Sequence, residues 1–296
     1  MQHTTSARPP RRNLGAVATY FIAAYAIFVR ANGHFDHQRW ARHARNALLT
    51  LGLLSSLQVG AEGVGASPGW AGFVWQEQVL LHDGQTLLVQ RAVRRGGRHE
   101  VGQKGDYVAQ SLQFTVPRTG QTIVWEDNAT DDLRNSSFLP MALELVGGTP
   151  YLVANTMGCL AYNKWGRPNP PYVVFRYQGA KWERIALSDL PAEVSTPNLV
   201  QSMPDLVAEK EPGRVVTAQR IAQIVAEYRQ PEYRSILREP INYDPECIPM
   251  VTNGKGLWLS EGWFRRKSSL QACLNGCKDE SFGDDTCPCK QFFQAD

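Results

Sequence analysis

Apolar and polar residues are distributed in four different ways along this chain of 296 residues. Two apolar runs stand near its beginning, at 14–29 and 47–59. From about residue 69 to 190, apolar residues alternate with polar ones, which is the pattern of strands with one buried face. A stretch of helical periodicity and a cysteine-rich end, 241–296, complete the chain.

The alternating part predicts a mainly β (α+β) fold, built as an antiparallel meander sheet or a sandwich. Its strongest hairpin signal is His-Asp-Gly-Gln at 82–85, because Asp-Gly readily adopts positive φ. The predicted strands follow one another without long helices between them, which favours antiparallel pairing. They cover residues 73–75, 78–81, 86–93, 107–116, 122–125, 141–146, 151–155, 172–177 and 182–187.

One helix is predicted with the sheet. Apolar side chains recur at i, i+3, i+4 and i+7 over residues 218–229, which is the spacing of an amphipathic helix. Thr217 can cap its beginning, and Pro231 ends it. The sheet is the available partner for the apolar face. We therefore place strands and helix in one domain, 67–240, and predict a cysteine-rich subdomain or clasp at 241–296.

The beginning of the chain is typical of an export signal. Arginines precede the apolar run 47–59 and small residues follow it, so that 41–66 contains the three parts of a secretory signal peptide. We predict cleavage that leaves a mature N-terminus between residues 62 and 69. The protein is then expected to be periplasmic or secreted.

The upstream run, 14–29, leaves two main interpretations open. Its 16 residues are fewer than the roughly 20 that span a bilayer, although arginines flank it on both sides. Either it anchors the protein in the membrane, facing the periplasm, or residues 1–40 are a mis-assigned extension before the signal peptide. A pair of buried helices is a third interpretation. We expect 1–66 to be a leader, with membrane contact only through 14–29.

Charge and composition narrow the classes of function. The chain has 31 Lys and Arg against 28 Asp and Glu, a formal charge of +3. Residues 1–61 contain seven of the arginines and one of the acids, so the remainder has 24 basic and 27 acidic residues, a charge of −3. A near-neutral domain argues against nucleic-acid binding. The expected partner is a ligand or protein of the cell envelope.

All six cysteines follow the leader, and an even number in an exported chain predicts disulfides. Four of them have the spacing C-x3-C-x9-C-x-C. The first two of these four can reach one zinc ion, but the last two would point to opposite sides of an extended chain. Proximity favours two disulfides within the group of four and one between the remaining two. The group of four is Cys273, Cys277, Cys287 and Cys289, and the remaining pair is Cys159 and Cys247.

An aromatic and proline-rich loop at 162–172 is the predicted ligand site. Tyr162, Trp165 and Tyr172 can stack on a sugar or a peptide, and Asn169 can supply polar contacts. The alternative is a proline-rich loop whose aromatic side chains belong to the core.

An acidic loop after Trp125 is the predicted metal site. Asp127, Asn128, Asp131 and Asp132 offer the hard oxygen ligands that calcium prefers, although their spacing does not match an EF-hand. A solvated turn explains the same residues. Calcium is the one cofactor that the sequence suggests.

No catalytic motif stands out, and the catalytic residues are unknown. Two histidines, His82 and His99, lie beyond the leader. The first hypothesis is a non-enzymatic binding or structural module of the cell envelope. The alternatives are an exported hydrolase acting on an envelope carbohydrate or peptide, with His82 or carboxylates near Asp127, and a membrane-anchored assembly partner.

Overall fold

The computed structural model describes residues 72–97, 99–100, 102–242 and 246–293; the predicted leader lies outside them. The described part is mainly β with antiparallel sheets, as predicted. Its strands are β1 Phe73–Leu80, β2 Thr86–Gly96, β3 Asp106–Thr115, β4 Thr122–Asn128, β5 Phe138–Val146, β6 Thr149–Thr156, β7 Tyr172–Gln178, β8 Lys181–Ile185, β9 Val215–Val216, β10 Met250–Thr252 and β11 Trp258–Ser260. Its α-helices are α1 Gly158–Lys164, α2 Pro204–Ala208, α3 Ala218–Glu227, α4 Glu261–Arg265, α5 Leu270–Asp279 and α6 Cys289–Phe292.

The first sheet has the strand order β4-β3-β2-β1-β9. The predicted hairpin joins β1 to β2 with Leu80 opposite Thr86, and Gly84 supplies the positive φ of +83° that its turn requires. Trp75, Glu77 and Val79 alternate on the buried face of β1. The two-residue β9 adds a short parallel pairing that the sequence pattern does not reveal.

The second sheet is an antiparallel meander with the order β5-β6-β7-β8. Pro140 interrupts the pairing of β5 with β6, and the register shifts between Pro140 and Ala142. The reason is that proline has no N–H to donate to the ladder, so it is tolerated at a bulge. The extra residue, Met141, is fully buried.

The two sheets share one apolar core, as in a sandwich. Leu112 and Trp125 from the first sheet pack with Phe138 and Phe175 from the second. The indole N–H of Trp182 donates to the backbone oxygen of Val124 across a distance of 2.8 Å, which links β8 to β4.

The second sheet is buried on both faces. Met141, Val153 and Val174 point away from the shared core and pack against Leu190 and Val194. The irregular chain after the last strand of this sheet therefore acts as its cover.

The predicted amphipathic helix is confirmed as α3. The Thr217 hydroxyl accepts a hydrogen bond of 3.2 Å from the backbone N–H of Arg220, so the predicted cap is formed. Ile221 and Val225 are buried against Trp75 of the first sheet. The sheet is thus the partner that the apolar stripe requires.

The end of the chain forms a small core of its own, in which Phe264 and Phe282 surround the sulfur atoms. Disulfide bonds are present, as predicted. They join Cys159 to Cys247, Cys273 to Cys289, and Cys277 to Cys287.

One expectation about this region is wrong. Cys287 and Cys289 do not alternate along an extended strand, because Pro288 forms a turn between them at the start of α6. The turn brings both sulfur atoms to the same side of the chain.

The six cysteines are all bonded, which fits an oxidising compartment. None of the helices in the described residues is long and apolar enough to cross a membrane. The apolar runs 14–29 and 47–59 lie outside those residues, so the structure does not address the predicted anchor or signal peptide.

Candidate functional site

The predicted binding loop is partly helical. Residues up to Lys164 belong to α1, where a continuous loop is expected. Gly158, with a φ of +77°, lets the chain turn from β6 directly into this helix. Because α1 has only seven residues, it is too short to show a helical period in the sequence.

Two asparagines of this region bind the chain itself. The Asn169 side chain donates to the backbone oxygen of Ile241 over 2.8 Å and accepts from the N–H of the same residue over 3.0 Å. In the same way, Asn163 donates to the oxygen of Ile248 and accepts from the N–H of Met250. The two amides therefore hold the cysteine-rich end against the sheet domain. The Asn169 amide, which the sequence predicts as a ligand contact, is used in this way.

Two of the proposed aromatic contacts lie in the protein core. The Trp165 ring is half-buried, with its centroid 4.7 Å from that of Phe138 and 6.4 Å from that of Phe175. Tyr172 is buried, and its hydroxyl donates to the backbone oxygen of Glu232 over 2.7 Å. Both positions agree with the core interpretation of the loop.

Tyr162 alone among the four predicted ligand residues lines a cavity of about 470 Å³ beside α1. Its ring is mostly buried, and the guanidinium of Arg167 lies 4.9 Å from the ring centroid. The cavity is bounded by Leu139, Asn155, Thr156, Gly158, Cys159, Tyr162, Gln201, Ser202, Tyr228, Gln230, Tyr233 and Cys247. None of these described lining residues is charged.

Gln201, which lines the cavity, is a buried polar residue. Gln201 is 5% exposed, and its Oε1 has no hydrogen-bond partner among the described residues. Burial raises the pKa of Tyr228, and this effect outweighs the hydrogen bonds that its oxygen receives from the Gln201 side chain and the Ser202 N–H. Tyr228 is therefore a neutral phenol at physiological pH. Its ring packs edge-on against Tyr233, with 5.8 Å between the centroids.

The sequence alone did not point to this cavity. Its residues come from β5, β6, α1, the segment before α2, the segment after α3 and the cysteine-rich end, so no local motif joins them. Tyr228 appears in the sequence only as the last apolar position of a helix. The Cys159–Cys247 disulfide forms part of the wall and brings the cysteine-rich end to the cavity.

The predicted metal ligands are used by the fold. Asp127 is buried in β4, and its Oδ2 accepts hydrogen bonds from the Gln110 side chain and from the backbone N–H groups of Ser137 and Phe138. Burial raises the pKa of Asp127 against the effect of these donors. A carboxylate with three donors on one oxygen has the role of a structural cap for the chain entering β5.

Asp132 forms an ion pair across this loop. Its Oδ1 lies 2.8 Å from Nζ of Lys164 in α1. Burial acts to raise the pKa of Asp132, but the hydrogen bonds from Lys164 and Thr130 outweigh it and lower the pKa. Asn128 and Asp131 are exposed. Calcium binding at this loop stays a prediction.

A second cavity of about 240 Å³ contains His82. The ring Nδ1 lies 3.0 Å from Oε2 of Glu144, and the His82 backbone N–H donates to the same oxygen. The hydrogen bond to Glu144 raises the pKa of His82 against a smaller effect of burial. Ser195 and Thr196 are also part of the lining, but no residue of the acidic loop 126–132 is. His82 and those carboxylates therefore do not share a pocket. His99 is exposed.

A buried ion pair next to this region has no sequence signal. Glu77 on β1 and Arg91 on β2 are diagonal neighbours, since Arg91 is opposite Trp75, and 2.8 Å separates Oε1 from the guanidinium nitrogen. The same carboxylate accepts hydrogen bonds from the Trp75 indole and the Val200 N–H. Charged residues are rarely buried unless they are paired in this way.

Comparison of the chain with known protein families, with curated proteins and with solved structures finds no match.

Proposed function

We propose that this is an exported, disulfide-stabilised binding protein that takes a small uncharged ligand, such as a sugar unit of an envelope polymer. The ligand lies in the cavity between α1 and the segment at the end of α3. The observation that carries the proposal is the lining, which combines three tyrosines with amide and hydroxyl side chains and has no charge among its described members.

Such a lining suits a sugar. Tyrosine rings cover the apolar face of a pyranose, and amide and hydroxyl groups exchange hydrogen bonds with its hydroxyls. The lining, which has no charge among its described residues, disfavours a phosphate or carboxylate ligand, because a buried charge requires a partner of opposite sign. A volume of about 470 Å³ lies within the usual range for small-molecule sites.

The Gln201 side chain provides a second argument. A buried acceptor without a partner costs roughly 1–3 kcal/mol. When the amide turns toward the cavity that Gln201 lines, a ligand hydroxyl that donates to Oε1 offsets this cost, whereas an apolar ligand does not. Replacement of Gln201 is therefore the change in the cavity wall that best distinguishes a polar ligand from an apolar one.

Thermal-shift and calorimetric titrations with neutral sugars and with their uronic acid counterparts test the proposal. We expect a neutral sugar to stabilise the protein more than its charged counterpart does. Gln201→Leu should weaken binding by about fivefold to tenfold, since it removes a hydrogen bond worth roughly 1–1.4 kcal/mol. Gln103→Leu, at an exposed turn away from the cavity, is the matched control.

Two outcomes would contradict the proposal. One is a wild-type protein that is stabilised only by the charged sugars. The other is equal loss of binding in Gln201→Leu and Gln103→Leu, which would place the ligand elsewhere.

A hydrolase is the second candidate function, favoured by the contact of His82 with Glu144. A buried carboxylate on Nδ1 orients the ring and raises its basicity, as in catalytic histidines assisted by an acid. The lining also contains hydroxyl side chains, including Ser195. Hydrolysis of activated ester or glycoside probes that is lost in both His82→Gln and Glu144→Gln would favour this function.

A further inference from the structure

The two disulfides at the end of the chain form one sulfur cluster. Cys273 and Cys277 lie one turn apart on α5, and the Cys-Pro-Cys turn faces them. Sγ of Cys289 lies 3.3 Å from Sγ of Cys287 and 3.4 Å from Sγ of Cys277, although it is bonded to neither. Each disulfide is therefore in contact with the other.

These separations are close to those of a zinc tetrathiolate. Zn–S bonds of about 2.3 Å in a tetrahedron place neighbouring sulfurs about 3.8 Å apart. The sulfurs of Cys277, Cys287 and Cys289 all lie within 4.8 Å of one another, and Cys273 is bonded to Cys289. To form a tetrahedron, each bonded pair must separate from about 2.0 Å to about 3.8 Å. The contacts of Cys289 with Cys277 and Cys287 then lengthen by only a few tenths of an ångström. The sulfur of Cys273, which lies outside the group of three, has to move closer to Cys277 and Cys287.

The surroundings are those of a closed structural site. Cys273, Cys277 and Cys289 are buried, and they pack with Phe264 and Phe282 in the core of this region. Structural zinc sites use four protein ligands and leave no position open to water. A small core of this kind depends on its crosslinks for stability. When the disulfides are reduced, another crosslink is needed to keep the region folded.

We infer that the four cysteines of this cluster bind one zinc ion when their disulfides are reduced. A dithiol supplies two electrons and two protons to each disulfide and is oxidised to a disulfide itself, so two dithiols yield four thiols. Zinc then binds four thiolates and displaces their four protons to solvent. The region thus has two crosslinked forms, a disulfide form and a zinc form.

The test starts from the full chain, reduced with dithiothreitol and freed of it by anaerobic gel filtration. Zinc is titrated against a competing indicator dye, and cobalt is added to parallel samples. We expect one zinc per chain, and the thiolate-to-metal absorption of tetrahedral cobalt. Cys277→Ser/Cys289→Ser should weaken binding by about 100-fold or more, since loss of an outer-shell partner alone costs roughly 10–100-fold.

Cys159→Ser/Cys247→Ser is the matched control, because it also removes two thiols but leaves the cluster intact. It should bind one zinc as the wild type does. Binding that is absent from the reduced wild type, or that is equally weak in both double variants, would overturn the inference. Octahedral cobalt spectra in the wild type would also overturn it, since they require ligands other than four thiolates.

Discussion

Replacing Trp165 with alanine separates a ligand-binding role from a core role for this side chain. The ring lies against Phe138 and Phe175, and the guanidinium of Arg184 is 5.5 Å from its centroid. Truncating a fully buried tryptophan costs about 3–5 kcal/mol. Because Trp165 is half-buried, we expect a loss of about 2–3 kcal/mol in the free energy of unfolding.

Phenylalanine at the same position provides a finer test. The indole N–H of Trp165 is buried and has no hydrogen-bond partner among the described residues, which costs free energy in the wild type. Trp165→Phe removes this N–H and keeps an aromatic ring against Phe138. We therefore expect it to lose less than half as much stability as Trp165→Ala.

Urea unfolding followed by circular dichroism measures both variants. The midpoint should fall at an unchanged m-value, since the change concerns packing rather than the extent of the fold. A change below about 0.5 kcal/mol for Trp165→Ala is the usual effect of a surface substitution. That result, together with loss of ligand binding, would refute the core assignment and return Trp165 to the binding site.

Two further predictions concern buried charges. Arg91→Met should lower the free energy of unfolding in urea by about 3–5 kcal/mol, because it leaves the Glu77 carboxylate buried without its cation. A loss below about 1 kcal/mol would contradict this prediction. Glu77→Leu/Arg91→Met should recover part of the lost stability. The second concerns His82, whose pKa is raised above 6.5 in the folded protein by Glu144. Its stabilising effect is therefore complete below about pH 6.5 and is lost as the pH rises through the folded-state pKa. When the pH rises from ~6 to ~8, the urea midpoint of unfolding should fall less for Glu144→Gln than for the wild type. An equal fall of the midpoint in both proteins would contradict the prediction.

Secondary structure was largely predictable from the chain. The alternation of side chains along a strand and the Asp-Gly turn depend on neighbours in sequence, so β1 and β2 were expected within a few residues of their observed bounds. The same holds for α3, which combines a Thr217 cap with an apolar stripe. α1 was missed, because seven residues contain too few turns to show a period.

The uses of individual polar side chains were decided by the tertiary structure. Nothing next to Asn169 in the sequence shows that Ile241 will meet its amide, and nothing next to Asp127 shows that it will cap the chain entering β5. Both contacts join segments that only the packing of the sheets and the end of the chain brings together. An unpaired polar group is costly to bury, so the folded chain uses these side chains to satisfy its own backbone.

The cysteines show the same division. Their even number and their place after an export-like leader predicted disulfides from composition alone. The closeness of the Cys287 and Cys289 sulfurs depended on the conformation of Pro288, and the cavity beside Cys159 depended on the ends of β6 and α3 meeting. Local patterns determine local conformation because they act between neighbours. A site assembled from distant segments has no such pattern, because its geometry exists only after the chain has folded.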